Sequence, residues 1–126
     1  DRESGWVYCT LTNNSNRGQT NHPSVDAANP RANNTMGQII RWKEEGDFDG
    51  GVFAWNLLAL AGDRANERAD AKGNNKGDMY GCPDGPAFDA QGGLQGQSDL
   101  RHHRRAAALV RHRSHFGTAE QFEHFH

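Results

Sequence analysis

The sequence predicts an all-β fold. Short runs rich in β-branched and aromatic residues recur between clusters of Gly, Asn, Asp and Pro. The 126 residues hold 15 Gly and 11 Asn. Only 34% are hydrophobic, against the roughly 45–50% apolar usage of ordinary globular chains. No heptad survives such interruption, which excludes a coiled coil. The length suits about one domain. No apolar run approaches the roughly 20 residues of a spanning helix, so no membrane partner is expected. The opening at Asp1, without Met or leader, reads as a piece cut from something longer.

The first element expected is a strand over residues 6–12, Trp6-Val7-Tyr8-Cys9-Thr10-Leu11-Thr12. Strand alternation puts Val7, Cys9 and Leu11 on one face and Trp6, Tyr8 and Thr10 on the other. Both faces are apolar enough for a strand packed between layers. A polar stretch over residues 13–37 follows, with Pro23 and Pro30. A connection of that length is usually functional or disordered.

Two further strands are expected over 38–43 and 52–60, antiparallel, joined by an acidic, Gly-rich connection. Good helix formers in 52–60 allow a helix, but the short run between glycines favours strand. Residues 61–78 lack periodicity and read as a surface loop ending in turn chemistry at Asn74-Asn75-Lys76-Gly77-Asp78. Next, Cys82-Pro83-Asp84-Gly85 forms a turn before a short apolar strand. A second tight turn spans 89–93, and Leu94 begins the return, so 86–97 holds strand, turn and strand. That spacing is how a propeller blade starts its inner strands. Pro86 fits a ladder poorly, having no N–H to donate.

Charge and cysteine add less. The net charge of -2 gives no general attraction to nucleic acid. Residues 1–100 carry 9 basic and 14 acidic side chains; residues 101–126 carry 5 Arg, 2 Glu and six of the seven His. This tail lacks a strand pattern, looks helical over 106–110, and is expected to be disordered or spuriously translated, making few contacts and completing no blade. Cys9 and Cys82 form no paired motif. A disulfide or metal role is open to them, but buried thiols are the simpler reading. Nothing in the sequence sets an oligomeric state.

Five blocks together resemble the secreted PhoX-type alkaline phosphatases. They are Val7-Tyr8-Cys9-Thr10-Leu11-Thr12-Asn13-Asn14-Ser15; Val25-Asp26-Ala27-Ala28-Asn29-Pro30-Arg31-Ala32-Asn33; Gly37-Gln38-Ile39-Ile40-Arg41-Trp42-Lys43-Glu44; Leu60-Ala61-Gly62-Asp63; and Cys82-Pro83-Asp84-Gly85. The resemblance covers about residues 5–94 and stops there; nothing after Asp99 fits the family. It implies a six-bladed β-propeller, of which this chain is a partial β-propeller of two to three blades over 1–100. It further implies calcium and ferric iron on the propeller axis, phosphate monoester substrates, and a periplasmic or secreted location. The family's Arg-Pro-Glu motif would precede Tyr8 and is missing here; Arg2-Glu3 is no substitute. Half of the metal ligands would then lie upstream, so the segment by itself is expected to be inactive. The competing reading is a non-catalytic propeller module that binds calcium or a partner.

Candidate site residues are few. Asp84 lies where a turn before an inner strand would point its carboxylate at an axial metal. Hard cations take such oxygens, and ferric iron accepts them too. The ordinary alternative is an Asp that bonds its own turn backbone. Asn13 and Asn14 end the first strand and could face phosphate, with Asx capping as the alternative. Their Asn13-Asn14-Ser15 sequence, like Asn33-Asn34-Thr35, matches a glycosylation sequon by chance. Arg41 alternates with Ile40 and Trp42 and reads as a solvent or inter-strand charge. The pairs His112 and His115, or His124 and His126, lack the convergent ligand set that zinc needs. Asp47-Phe48-Asp49-Gly50 is only a fragment of a calcium loop, and no phosphate loop or Gly-x-Ser-x-Gly is present.

Overall fold

A computed structural model gives the fold. It describes residues 1–98 except 3, 47, 48, 50, 77, 78 and 92, together with strands at 107–110 and 123–125. Most of the 47–50 segment, and His112, His115 and His126, lie outside the described residues.

Every described regular element is a strand. In order they are β1 (Val7–Leu11), β2 (Gln38–Glu44), β3 (Phe53–Leu60), β4 (Pro83–Phe88), β5 (Leu94–Ser98), β6 (Ala107–Val110) and β7 (Glu123–Phe125). They form a four-stranded sheet, β1-β2-β3-β7, and a three-stranded sheet, β4-β5-β6. All pairings are antiparallel. No helix among the described residues is long and apolar enough to cross a membrane.

The alternating apolar residues of β2 and β3 make the first sheet's centre. Ile39 pairs with Ala59 but Ile40 with Leu57, so Leu58 is the extra residue of a bulge. The core joins both sheets: Ile39 and Ala59 pack with Ala61, Tyr80 and Leu94, and Tyr8, Met36 and Leu58 lean on them. Tyr8 also meets Phe88 edge-on, with ring centroids 5.1 Å apart, which seats β1 beside β4.

Four expectations change. β1 is not packed between layers: Val7 and Leu11 are exposed, and only the Tyr8 face is drawn to the core. The 61–78 segment is not wholly surface, since Ala61, Gly62, Ala71 and Gly73 are buried. A Cβ on Gly73 would collide with the Gly62 carbonyl oxygen, so the backbones meet where side chains cannot fit. β4 begins at Pro83, earlier than residue 86. Its register shifts between Asp84 and Ala87, so Pro86 sits in an irregularity where no ladder N–H is asked of it. The helix expected over 106–110 is instead β6, with Leu94 to Gln97 pairing against Val110 to Ala107. β7 likewise pairs with β3 through Trp55 and Glu123. Partner strands override the helix preference of an Ala run.

Candidate functional site

The 13–37 connection is ordered by two devices. The first is a backbone bridge between Asn14 and Asn34, with N–H to carbonyl distances of 2.7 and 3.1 Å. The bridge closes the loop at its neck. Inside it, the Asn33 N–H donates to the Arg17 carbonyl and the Gly18 N–H to the Pro23 carbonyl.

The second device is Arg31, whose side chain is buried. Its Nη1 donates to the Ala61 carbonyl at 2.8 Å and to the Lys72 carbonyl at 3.1 Å. Its Nη2 donates to Asn34 Oδ1 at 2.7 Å and to the Gly37 carbonyl. One planar fork thereby ties three separated segments to one another. Asn34 continues the network. Its Oδ1 also accepts from the Gly37 N–H at 3.0 Å, and its Nδ2 donates to Gln38 Oε1 at 3.1 Å. Gln38 in turn donates to the Ala28 carbonyl. Burial lowers the Arg31 pKa, while Tyr80 and Asp70 act to raise it. The guanidinium stays charged, because arginine does not deprotonate in proteins. Burial also pushes the Tyr80 hydroxyl well above the ordinary tyrosine range, with the Arg31 charge pulling it back.

Smaller latches surround the clamp. Asn33 donates to Asp70 at 3.0 Å, and Arg68 donates to the same carboxylate. The Arg68 bond is the main reason the Asp70 pKa is lowered. The Asn29 amide does the same for Asp26, which also pairs with Arg17.

Asn13 and Asn14 are exposed at the corner leaving β1. The corner is fixed by the backbone bridge to Asn34 and by the Asn14 carbonyl, which accepts from the Arg17 N–H. Their amides can offer both donors and acceptors to a ligand. Asp84 is exposed within β4 rather than in a turn before it, and its Oδ1 accepts the Gly85 N–H at 2.7 Å. That bond is the backbone role expected of an Asp-Gly pair. Among the described residues no three His, Cys, Asp or Glu side chains gather to hold a metal. Asp84 therefore offers a single carboxylate, and these residues do not by themselves fit a calcium or ferric site.

Cys9 and Cys82 form no disulfide with each other, and both are half-buried. The Cys9 thiol donates to the Thr10 carbonyl and the Cys82 thiol to the Thr35 carbonyl. Arg41 is an inter-strand group and not a solvent charge. It is buried, donates to Asn56 across the β2–β3 ladder at 2.8 Å, and lies 4.4 Å from the Trp6 ring centroid. Sequence reasoning missed the clamp of Arg31, Asn34 and Gln38. The only signal for it is that Arg31 and Gln38 fall within blocks carrying the family resemblance.

An all-β segment with a buried polar clamp behind an exposed amide corner defines a class of architecture and no single activity. Comparison with known proteins narrows it. The family model described as "Alkaline phosphatase PhoX" matches residues 2–125. The chain belongs to the PhoX alkaline phosphatase family. The match runs past residue 94, where the resemblance was expected to stop, and past Asp99, after which nothing was expected to fit. A solved structure of Pseudomonas fluorescens PhoX in complex with vanadate, a transition state analogue, is similar to it, with 40% identity and a TM-score of 0.66. The likeness covers 75% of this chain and 17% of that one, so the chain spans about a sixth of its solved relative. The all-β, partial-propeller expectation agrees with that likeness. No curated protein matches the chain.

Proposed function

We propose that the intact protein hydrolyses phosphate monoesters and that this segment supplies the Asn13–Asn14 corner to substrate binding. The observation that carries the reading is family membership together with a 40% identical relative solved with vanadate. A phosphate-like ligand needs donors at a fixed place, and the corner offers two exposed amides on a pinned backbone. The reading also gives Asp84 a place as one carboxylate ligand of a centre holding calcium and ferric iron, completed by residues elsewhere in a longer protein. It includes a periplasmic or secreted location, which follows from the family resemblance. The 126-residue segment alone is then inactive.

The test is hydrolysis of p-nitrophenyl phosphate by the intact protein, with Asn13→Ala and Asn14→Ala compared one at a time. Loss of a bond to a charged ligand is expected to weaken orthovanadate inhibition by about tenfold or more. Absence of hydrolysis by the intact protein overturns the activity. Unchanged inhibition in both variants overturns the role of the corner. Robust hydrolysis by the isolated segment overturns its dependence on residues elsewhere.

A further inference from the structure

The clamp has a geometric consequence for the corner. Arg31 does not reach Asn13 or Asn14 directly. Its Nη2 holds Asn34 Oδ1, and the backbone of Asn34 carries both bonds of the bridge to Asn14. The same nitrogen holds the Gly37 carbonyl, at the start of β2. A Cβ on Gly37 would collide with the carbonyl oxygens of Leu11 and Thr12. Leu11 and Thr12 are the residues that lead into Asn13. The corner is therefore held from two directions. Its outgoing side is held by the Asn34 bridge, and its incoming side by backbone packed against Gly37. Arg31 grips both Asn34 and Gly37 with one nitrogen. Its other terminal nitrogen is anchored to Ala61 and Lys72, on the far side of β3 in the chain.

We propose that Arg31 is the positioning residue of the Asn13–Asn14 corner, acting through Asn34 and Gly37 to hold the two amides in register for a phosphate-like ligand. The ligand half of this rests on the function proposed above. The holding half rests on the geometry alone. A fork is required because four acceptors from three segments converge on one planar group. A lysine keeps the charge but presents a single point of attachment, and it cannot serve both pairs of acceptors at once. Preorganisation is the benefit: a corner already ordered spends no binding energy on being ordered by the ligand.

The experiment uses the intact protein with Arg31→Lys, and Ile39→Val as a control that loosens the same core without touching the fork. Hydrogen exchange is read at the Asn14 and Asn34 amides, which donate to each other's carbonyls, and at the β2 and β3 amides. Orthovanadate inhibition is read alongside. In Arg31→Lys the Asn14 and Asn34 amides are expected to exchange at least tenfold faster, while β2 and β3 change no more than in Ile39→Val. The inhibition constant is expected to rise about tenfold, and adding Asn14→Ala should produce little further rise. Corner amides that stay within twofold of the parent, or that merely follow β2 and β3, overturn the positioning role. Fast corner exchange with unchanged inhibition overturns the ligand half only, and then Asn14→Ala alone is silent as well. Weakened inhibition by Asn14→Ala with unmoved corner amides in Arg31→Lys leaves the substrate corner standing and removes Arg31 from it.

Discussion

The 13–37 connection and the β4–β5 hairpin are both rich in turn-forming residues, Asn, Gly and Pro in the first and Gly, Pro and Asp in the second, yet they are held in opposite ways. In the first, polar side chains are buried and shared: Arg31, Asn34 and Gln38 are all buried and joined in one network. In the second, the strand is exposed from Asp84 through Phe88, and its turn is held locally. Asp89 Oδ1 accepts from the N–H groups of Gln91 and Gly93 at 3.0 and 2.7 Å. The difference teaches that a long polar connection can serve as core when one many-donor side chain gathers its carbonyls. Without such a gatherer a turn-rich run makes a surface hairpin stabilised by neighbours in sequence.

The largest expected effect breaks the comparison on the buried side. Arg31→Met fills similar volume but takes the guanidinium donor from the carbonyls of Ala61 and Lys72, and leaves Asn34 Oδ1 and the Gly37 carbonyl with only the N–H groups of Gly37 and Ala61. Stranded buried acceptors and lost charge-assisted bonds should cost about 3–5 kcal/mol. Urea unfolding followed at constant m-value is the measurement. A loss under about 1 kcal/mol would mean the network is rescued by water, and the two regions would then differ less than their geometry says.

Next is Gly37→Ala. The residue has φ of 82°, and an added Cβ would run into backbone oxygens that cannot swing aside. Strain of this kind should cost about 2–3 kcal/mol, read as a lowered thermal midpoint. Gly46 is the natural comparison, with φ of 86° and nothing within 4 Å of an added methyl. Gly46→Ala should cost only the backbone strain, about 1 kcal/mol. Equal losses at the two glycines would show that crowding at the corner contributes nothing.

On the hairpin side, Asp89→Ala removes two local bonds from backbone N–H groups and a long one from the Gln95 amide at a part-exposed turn. A loss of about 1 kcal/mol is expected, comparable to a lost helix cap. The change should remain confined to β4 and β5 in hydrogen exchange. Loosening that spread to Asn14 and Asn34 would show the two regions to be one cooperative unit.

How much of the molecule is legible in the sequence follows the same division. Period-two patterns and turn residues set β1, β2 and β3 to within a residue or so of the expected 6–12, 38–43 and 52–60. The turn at 89–93 and the return at Leu94 are legible because Asp and Gly carry their conformation locally. The clamp is not, since nothing local distinguishes a buried Arg31 from an exposed Arg64. Its burial depends on carbonyls 30 and 41 residues away. β6 escapes a local reading for a related reason: an Ala-rich run favours helix by itself, and only its partner β5 makes it a strand. Asn13 and Asn14 are legible as an end of strand, but the bridge that fixes them needs Asn34.

The smallest expected effect on stability concerns Asp84, and it sharpens the comparison most for function. Its visible bond is local, from the Gly85 N–H to Oδ1. An asparagine offers an amide oxygen at the same place, so Asp84→Asn should move stability by less than about 0.5 kcal/mol. Asp84→Ala loses that acceptor at an exposed site and should cost little more, because water can take its place. If Asp84 is only a turn residue, both variants of the intact protein keep full activity and metal content. If it is a ligand, the ordering changes. Asn keeps an oxygen but removes the charge that a hard cation favours, and Ala removes the ligand. Activity and metal content should then fall together, Ala more severely, while stability barely moves. That separation makes the pair informative: a fold effect would track urea midpoints, and a ligand effect would not. Full activity with unchanged metal content in both variants removes Asp84 from the site and leaves the hairpin as structure alone.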